Sequence, residues 1–205
     1  MKIGVFGGTF DPVHIGHLGI AEAARSSLGL DEVLVIPAGE PWLKAGQRVT
    51  VACHRMAMVE LAVAGFPFLR ASDIETRREG PTYTVDTLAE LHRRLGPGTD
   101  LYLVLGTDSL IEIGRWHQPR RLFELSSLVG IARPGSAELD PKALDAISPG
   151  ASDMIKLLDG PMLDLSAATL RRRVSQRLSI AEFVPEAVED YIQRHGLYRD
   201  ESTSA

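Results

Sequence analysis

Eleven residues near the N-terminus, GGTFDPVHIGH at 7–17, combine residue types that bind anions. Gly7 and Gly8 let the backbone approach a bulky ligand. His14 and His17 stand three residues apart, a spacing that places both on one side of a helix. The N–H groups at the start of such a helix, together with its dipole, favour a phosphate. The segment therefore predicts a site for a phosphorylated ligand.

Three other interpretations of this segment compete with the phosphate site. A dinucleotide-binding fingerprint needs the spacing GxGxxG, which the glycines of this loop do not provide. A zinc site formed by Asp11, His14 and His17 is conceivable, but two histidines at i, i+3 without a third strong ligand support it weakly. The third interpretation is a pair of surface histidines near a helix start.

Strand-like and helix-like segments alternate along the chain, and the strand-like ones are continuous apolar runs. Strands are predicted at 2–8, 32–37, 68–75, 100–106 and 128–135, and a further strand runs into a helix over 162–174. Helices are predicted at about 12–28, 49–65, 84–96, 120–126, 141–147 and 184–196. This alternation is typical of an α/β fold with a doubly wound parallel sheet, here with a small C-terminal helical extension.

The predicted sheet also suggests where the site lies. Asp11 is expected to cap the first helix, with Pro12 in its first turn. Ligands of doubly wound sheets bind beyond the carboxyl ends of the strands, where the winding reverses. If the reversal falls between the first and fourth strands, Asp108, which follows Gly106, faces the histidine loop.

Composition narrows the classes of protein. The chain has 205 residues, with 22 Lys and Arg against 27 Asp and Glu, a net charge of −5 that argues against a nucleic-acid partner. No apolar run reaches the ~18 residues of a membrane span, so a cytoplasmic protein is expected. Cys53, the only cysteine, is expected to be a buried structural thiol. A single domain over 1–199 and a loose tail at 200–205 are expected.

The same segment resembles the signature of the HxGH nucleotidyltransferase superfamily, which has a Rossmann-like fold. Other segments resemble its nicotinate mononucleotide adenylyltransferase branch: PAGEPWLK (37–44), GPTYTVDTL (80–88), LGTDSL (105–110), Trp116 and IARPG (131–135). LSAATLRRRV (165–174) is similar to the branch motif ISSTxxR. The resemblance implies an enzyme of NAD biosynthesis that joins ATP to nicotinate mononucleotide, giving deamido-NAD and pyrophosphate.

The resemblance also implies roles on the ATP side. His14, His17 and Arg171 would be catalytic, with His17 holding the ATP phosphates and the charge that builds on them. Gly16 has no side chain and leaves room for a flat or bulky group. The implied ATP-binding set comprises Gly7, Gly8, Thr9, Phe10, His14, Gly16, His17, Gly106, Asp108, Ser166 and Arg171.

Nicotinate mononucleotide would contact a second set, namely Lys44, Thr84, Asp108, Trp116 and Arg133. Lys44 would reach a phosphate, or else be a solvated surface lysine, and Thr84 would also serve as a helix cap. Trp116 would stack on the pyridine ring, and Asp108 suits ribose hydroxyls or water on Mg²⁺, or else caps a helix. Mg²⁺ would be held by ATP phosphates and water, with no protein ligands.

The sequence departs from the family pattern at Ala168, which occupies the motif's Thr position, with Thr169 following. Trp42 is either a lid or an exposed loop residue. Two rival functions stay open: another HxGH enzyme such as phosphopantetheine adenylyltransferase, which is typically shorter and lacks GPTYT, and a non-catalytic nucleotide-binding module. Nicotinate and nicotinamide mononucleotide both remain acceptors to compare, and a homodimer is expected by family analogy.

Overall fold

Six parallel strands form the sheet of the computed structural model, which describes residues 1–44, 46–132, 139–163 and 165–199. The strands are β1 (Lys2–Gly8), β2 (Glu32–Pro37), β3 (Leu69–Ala71), β4 (Asp100–Gly106), β5 (Ser127–Ala132) and β6 (Lys156–Asp159). Their spatial order is β3-β2-β1-β4-β5-β6, and every neighbouring pair is parallel. The predicted doubly wound parallel sheet is confirmed.

Helices cover both faces of this sheet. They are α1 (Ile15–Leu28), α2 (Ala52–Val63), α3 (Thr84–Leu95), α4 (Thr107–Ile111), α5 (Pro119–Leu125), α6 (Pro141–Ile147), α7 (Ala151–Met154), α8 (Ala167–Ser175) and α9 (Glu186–Arg194). Successive residues of a strand point to opposite faces. Val33 and Val35 of β2 share a core with α1, α2 and α9, whereas Leu34 and Ile36 share one with α3 and α5. Strands buried on both faces read as continuous apolar runs.

The winding of the sheet reverses between β1 and β4. Ile3 of β1 lies opposite Glu32 of β2 on one side and Leu101 of β4 on the other. The expected reversal between the first and fourth strands is thus confirmed. It places a crevice beyond the carboxyl ends of β1 and β4, the point at which such sheets bind ligands.

The expected start of the first helix is wrong. α1 begins at Ile15, and His14, in extended backbone with φ −149° and ψ 169°, occupies the position before it. Asp11 does not cap this helix, and Pro12 precedes it. The Asp11 carboxylate instead accepts hydrogen bonds from Tyr198 Oη at 2.7 Å and from the Thr50 N–H at 3.1 Å. Tertiary contacts have taken the place of a local cap.

Two further segments are shorter than expected, and the expected burial of Cys53 is wrong. α2 starts at Ala52 because the preceding Thr50 uses its backbone N–H on Asp11 and its carbonyl on Arg55. β3 spans three residues of the predicted 68–75. Cys53 is exposed because it does not lie on the buried face of α2. That face consists of Arg55, Met58, Val59, Ala62 and Val63.

The last strand lies earlier than expected. β6 occupies Lys156–Asp159 and pairs with β5, whereas 162–163 and 165 carry no strand. Its four residues, KLLD, carry only two apolar side chains between charged ones, so this short and largely exposed edge strand lacks the longer apolar run of the other predicted strands. The short helices α4 and α7 were not predicted either. Residues 133–135 of the predicted fifth strand and the tail at 200–205 lie outside the described residues.

Within the described ranges, no helix is both long and apolar enough to cross a bilayer.

Candidate active site

A cleft at the reversal point encloses a cavity of about 410 Å³, a size ordinary for small-molecule sites. Expected site residues from several elements line it: Gly7, Gly8, Thr9, Phe10, His17, Lys44, Thr84, Gly106 and Trp116. Asp11, Trp42, Glu75, Thr82, Thr87, Ser109 and Ala167 line it as well. The structure therefore brings the N-terminal loop, the 37–44 loop and the GPTYT segment to one place.

The two motif histidines form a fixed pair at the start of α1. Their rings stack with centroids 3.7 Å apart. The rings of Phe10 and His17 meet edge to face, with centroids 4.9 Å apart. The His14 N–H donates to His17 Nδ1 at 3.2 Å. A neutral imidazole that accepts at Nδ1 carries its proton on Nε2, so this contact selects the tautomer of His17 that donates from Nε2.

Gly16 makes room for a side chain of the protein itself. A Cβ at Gly16 would lie 3.1 Å from Nδ1 of His14, which is 3% exposed. The space beside Gly16 is therefore taken by the His14 ring, whereas we expected it to be open to a ligand. His14 lies behind His17 rather than on the cavity surface, which fits support of His17 and not direct contact with a ligand.

Asp11 is the point where four segments meet. Besides the hydrogen bonds from Tyr198 and Thr50, its backbone carbonyl accepts one from Arg171 Nη1 at 2.8 Å. Arg171 thus reaches the motif loop from α8, across 160 positions of the chain. Because both Asp11 carboxylate oxygens and His17 Nδ1 accept hydrogen bonds from the protein, the zinc alternative does not fit this geometry.

Arg55 is a buried cation that sequence reasoning missed. It is 1% exposed and donates Nε to Thr50 O at 2.7 Å, Nη1 to Thr9 O at 2.9 Å and Nη2 to Gly39 O at 2.8 Å. Three loops are therefore held by one guanidinium. Burial lowers the pKa of Arg55, and nearby Asp11 opposes that shift. The sequence offered one indication of a buried cation, namely that Arg55 lies within the largely apolar segment VACHRMAMVELAV.

The charges of Arg171, Asp11 and Arg55 all act on Lys44. Burial lowers the pKa of its ammonium, Arg171 lowers it further, and Asp11 raises it. The side chain is half-buried and lines the cavity, which disfavours the alternative of a solvated surface lysine. We call Asp11, His17, Lys44, Arg55 and Arg171 the charged side of the cleft.

We call a second group of lining residues, Glu75, Thr82, Thr84, Thr87 and Trp116, the hydroxyl side of the cleft. The charges of Glu75 and Arg55 influence each other's pKa, so the two sides adjoin. Glu75 is 6% exposed and accepts a hydrogen bond from Thr87 Oγ1 at 2.7 Å. Burial raises the pKa of Glu75, and the hydroxyls of Thr87 and Thr82 oppose that shift. Sequence reasoning missed Glu75 and Thr87 because they lie in an ordinary strand-like and helix-like pattern.

Arg78 supports the hydroxyl side from behind. It donates Nη1 to Thr87 Oγ1 at 2.8 Å and pairs with Glu90 of α3. Tyr83, not Thr84, occupies the position before α3, so Thr84 is the first residue of the helix rather than its cap. The Trp42 ring, from the short 3₁₀ turn at Trp42–Lys44, lies 6.0 Å from that of Tyr83.

The C-terminal motif forms the start of α8. Ser166 caps this helix, accepting from the Thr169 N–H at 3.2 Å, and the two hydroxyls lie 3.0 Å apart. Thr169 therefore turns its hydroxyl to Ser166 and does not replace the one absent at Ala168. Ser166 itself is exposed, while Ala167 lines the cavity.

The remaining expected residues lie near the cleft or outside the described chain. Asp108 is exposed on α4, between Gly106 and Ser109, which both line the cavity. Arg133 lies outside the described residues. Among those described, no group of three or more His, Cys, Asp or Glu side chains could hold a metal ion.

Comparison with known proteins places the chain in a family. The profile of the family described as "Cytidylyltransferase-like" matches residues 5–185. A "Probable nicotinate-nucleotide adenylyltransferase" of Dehalococcoides mccartyi is 43% identical over 198 residues, covering 97% of each chain. A protein of the same name from Roseiflexus sp. is 47% identical over 198 residues, covering 96% of this chain and 98% of its own. The chain belongs to the cytidylyltransferase-like family.

Members of this family are nucleotidyltransferase enzymes, and they generally use divalent metal ions. Among solved structures, the fold resembles "Plasmodium falciparum nicotinic acid mononucleotide adenylyltransferase complexed with NaAD", with a TM-score of 0.78 and 21% identity. The similarity covers 96% of this chain and 97% of that one. At this identity it establishes the nucleotidyltransferase fold, including the C-terminal helices.

Proposed function

We propose that the protein transfers the adenylyl group of ATP to nicotinate mononucleotide, yielding deamido-NAD and pyrophosphate for NAD biosynthesis. The observation that carries this proposal is the cleft itself, in which His17 and Lys44 line one cavity together with the threonines of the hydroxyl side, at the reversal point of the sheet. The names of relatives at 43% and 47% identity over almost the whole chain supply the substrate class.

The reaction needs no nucleophile from the protein. A phosphate oxygen of the mononucleotide attacks the α-phosphorus of ATP, and the bond from that phosphorus to the bridging oxygen breaks as pyrophosphate leaves. Two anions must meet, so alignment and charge neutralisation are what the site contributes. Alignment alone can supply on the order of 7–11 kcal/mol.

On the charged side, His17 donates from Nε2 to the phosphates of ATP, and Lys44 and Arg171 bring cations to the same region. Backbone groups of Gly7, Gly8, Thr9 and Phe10 surround the phosphates, with Gly16 and His14 behind them, and Gly106, Asp108 and Ser166 complete the proposed ATP site. This proposal rests on the hydrogen bonds that orient His17 and Arg171.

On the hydroxyl side, Thr84 and Trp116 contact the pyridine nucleotide, and Lys44 and Asp108 reach it from the two neighbouring loops. We assign Arg133 to this substrate from the sequence motif alone. Mg²⁺ supplies charge neutralisation when it arrives with ATP, which suits a cleft without a cluster of protein ligands among its described residues. The exposed carboxylate of Asp108 suits a water of that ion.

The deciding experiment is a pyrophosphate-release assay with ATP, Mg²⁺ and a panel of phosphate acceptors. We expect nicotinate mononucleotide to give the highest kcat/KM, above nicotinamide mononucleotide and phosphopantetheine. Release with phosphopantetheine alone would assign a different adenylyltransferase, and ATP binding without release under any acceptor would indicate a binding module. The single domain at 1–199, the homodimer, the cytoplasmic location and the absence of a nucleic-acid partner stay predictions.

A further inference from the structure

Tyr198 lies far from the motif loop in sequence but in contact with it in the fold. It follows α9 in the segment GLYR and is 8% exposed. Its hydroxyl donates to Asp11 Oδ1 at 2.7 Å, a contact that joins residues 187 positions apart. The positive φ of 63° at this non-glycine residue shows that the backbone adopts an uncommon conformation where the side chain enters the core.

The Asp11 carboxylate depends on this contact. It is 3% exposed, and a buried carboxylate is costly unless its oxygens accept hydrogen bonds. Tyr198 supplies the contact at Oδ1 and the Thr50 N–H the contact at Oδ2. Burial and the adjacent Asp11 raise the pKa of the phenol far above its usual range, so Tyr198 remains a neutral donor at every pH of interest.

Asp11 in turn positions groups on the charged side. Its backbone carbonyl accepts from Arg171, and its charge acts on the Lys44 ammonium. The carboxylate and the carbonyl belong to one residue, so the contact that anchors Asp11 and the contact that holds Arg171 are both made by that residue. The contact of Tyr198 therefore reaches the phosphate-binding cations through a single intermediate residue.

We propose that Tyr198 is a positioning residue for ATP, which holds Asp11 and through it Arg171 in the geometry that receives the triphosphate. The C-terminal segment after α9 is thereby a functional part of the nucleotide site. This inference rests on the proposed function for the identity of the ligand, and it concerns binding rather than transfer.

The test compares Tyr198→Phe with Tyr191→Phe, in each of which a C-terminal tyrosine loses one hydroxyl. Tyr191 Oη contacts His54 Nδ1 at 2.9 Å, away from Asp11, and is therefore the matched control. We expect Tyr198→Phe to weaken ATP binding about tenfold, the size of a lost hydrogen bond to a charged group. Binding of nicotinate mononucleotide should change less than about twofold in either variant.

A double-mutant cycle with Asp11→Asn separates positioning from general stability. If Tyr198 acts through Asp11, Tyr198→Phe will weaken ATP binding by less than about twofold in the Asp11→Asn background. Equal weakening of both ligands by Tyr198→Phe, or additive effects in the cycle, would overturn the proposal. Because ATP binding is measured directly, a wild-type protein that binds ATP but releases no pyrophosphate would refute the proposed function without affecting this result.

Discussion

The two sides of the cleft are built from different parts of the chain. The charged side joins the loop after β1 to Lys44, to Arg55 on α2, to Arg171 on α8 and to Tyr198 near the C-terminus. On the hydroxyl side, the hydrogen bonds around the Glu75 carboxyl join residues close in sequence, since Glu75, Arg78, Thr87 and Glu90 lie within sixteen residues. Trp116, and the hydrogen bond from Thr82 to the Glu40 carbonyl, bring in more distant segments.

The chemistry differs in the same way. The charged side concentrates cations around one buried carboxylate, and the buried Arg55 binds carbonyls on several sides, from Thr50 nearby to Thr9, 46 positions away. The hydroxyl side carries neutral donors around one carboxyl group whose pKa is raised. The buried carboxylate of the charged side is therefore held by distant segments, whereas the carboxyl group of the hydroxyl side is held by a residue near it in sequence.

The largest effect is expected from His17→Ala. We expect kcat to fall about 100-fold or more, as on loss of a donor to a developing charge. The free energy of unfolding should fall by only about 1 kcal/mol, for the lost contact with the His14 N–H. His195→Ala, at an exposed histidine, is the control and should keep wild-type kcat. A kcat for His17→Ala within threefold of wild type would remove the charge-stabilising role.

Arg55→Met tests whether the charged side depends on its buried cation. Three partly buried carbonyls lose their donor, so urea unfolding should show a loss of about 3 kcal/mol in the free energy of unfolding. Arg78→Met on the hydroxyl side should cost less than about 1 kcal/mol, because that side chain is partly exposed. Equal losses in the two variants would show that both sides are held alike. Arg55→Lys, which keeps the charge, should fall between Arg55→Met and the wild type.

Lys44→Ala should act on binding more than on turnover. We expect a KM increase of about tenfold for at least one substrate, with kcat within about threefold, because one charged contact is lost. The lowered pKa of Lys44 predicts that wild-type KM rises with pH before ordinary lysines deprotonate, and that Lys44→Ala lacks this rise. Lys142→Ala, on the surface of α6, should match wild type. Unchanged KM values for both substrates would indicate that Lys44 is a solvated surface lysine without a role in binding.

The smallest effect is expected from Glu75→Gln, for which the free energy of unfolding is measured as a function of pH. Folding raises the pKa of Glu75, so its stabilising contribution is present at low pH and is lost as pH rises through the folded-state pKa. Glu75→Gln should therefore gain stability relative to wild type as pH rises above the unfolded-state pKa of Glu75.

Glu90→Gln is the control of opposite sign on the same side. The hydrogen bond and charge of Arg78 lower the pKa of Glu90, so its carboxylate stabilises the fold above its unfolded-state pKa and stops doing so in acid. Glu90→Gln should thus lose stability relative to wild type as pH rises. The same trend in both variants would contradict the assigned environments.

Much of the fold was predictable from local pattern. The bounds of β1, β2 and β4 follow from apolar runs that end at Gly or Pro, and α6 follows from Asp140 and Pro141 at its start. The edge strand β6 was misplaced because its four residues include only two apolar side chains, too few for such a run. The start of α1 was misplaced because Asp11 serves a distant tyrosine instead of its own helix.

The sequence alone determined the doubly wound sheet and the family resemblance, because apolar periodicity and contiguous motifs are local properties. Only the tertiary structure decided that Gly16 accommodates His14, that Arg55 holds three loops and that Tyr198 meets Asp11. These contacts satisfy buried polar groups, and which distant segment supplies a partner depends on how the helices pack. Residue spacing along the chain carries no record of that packing.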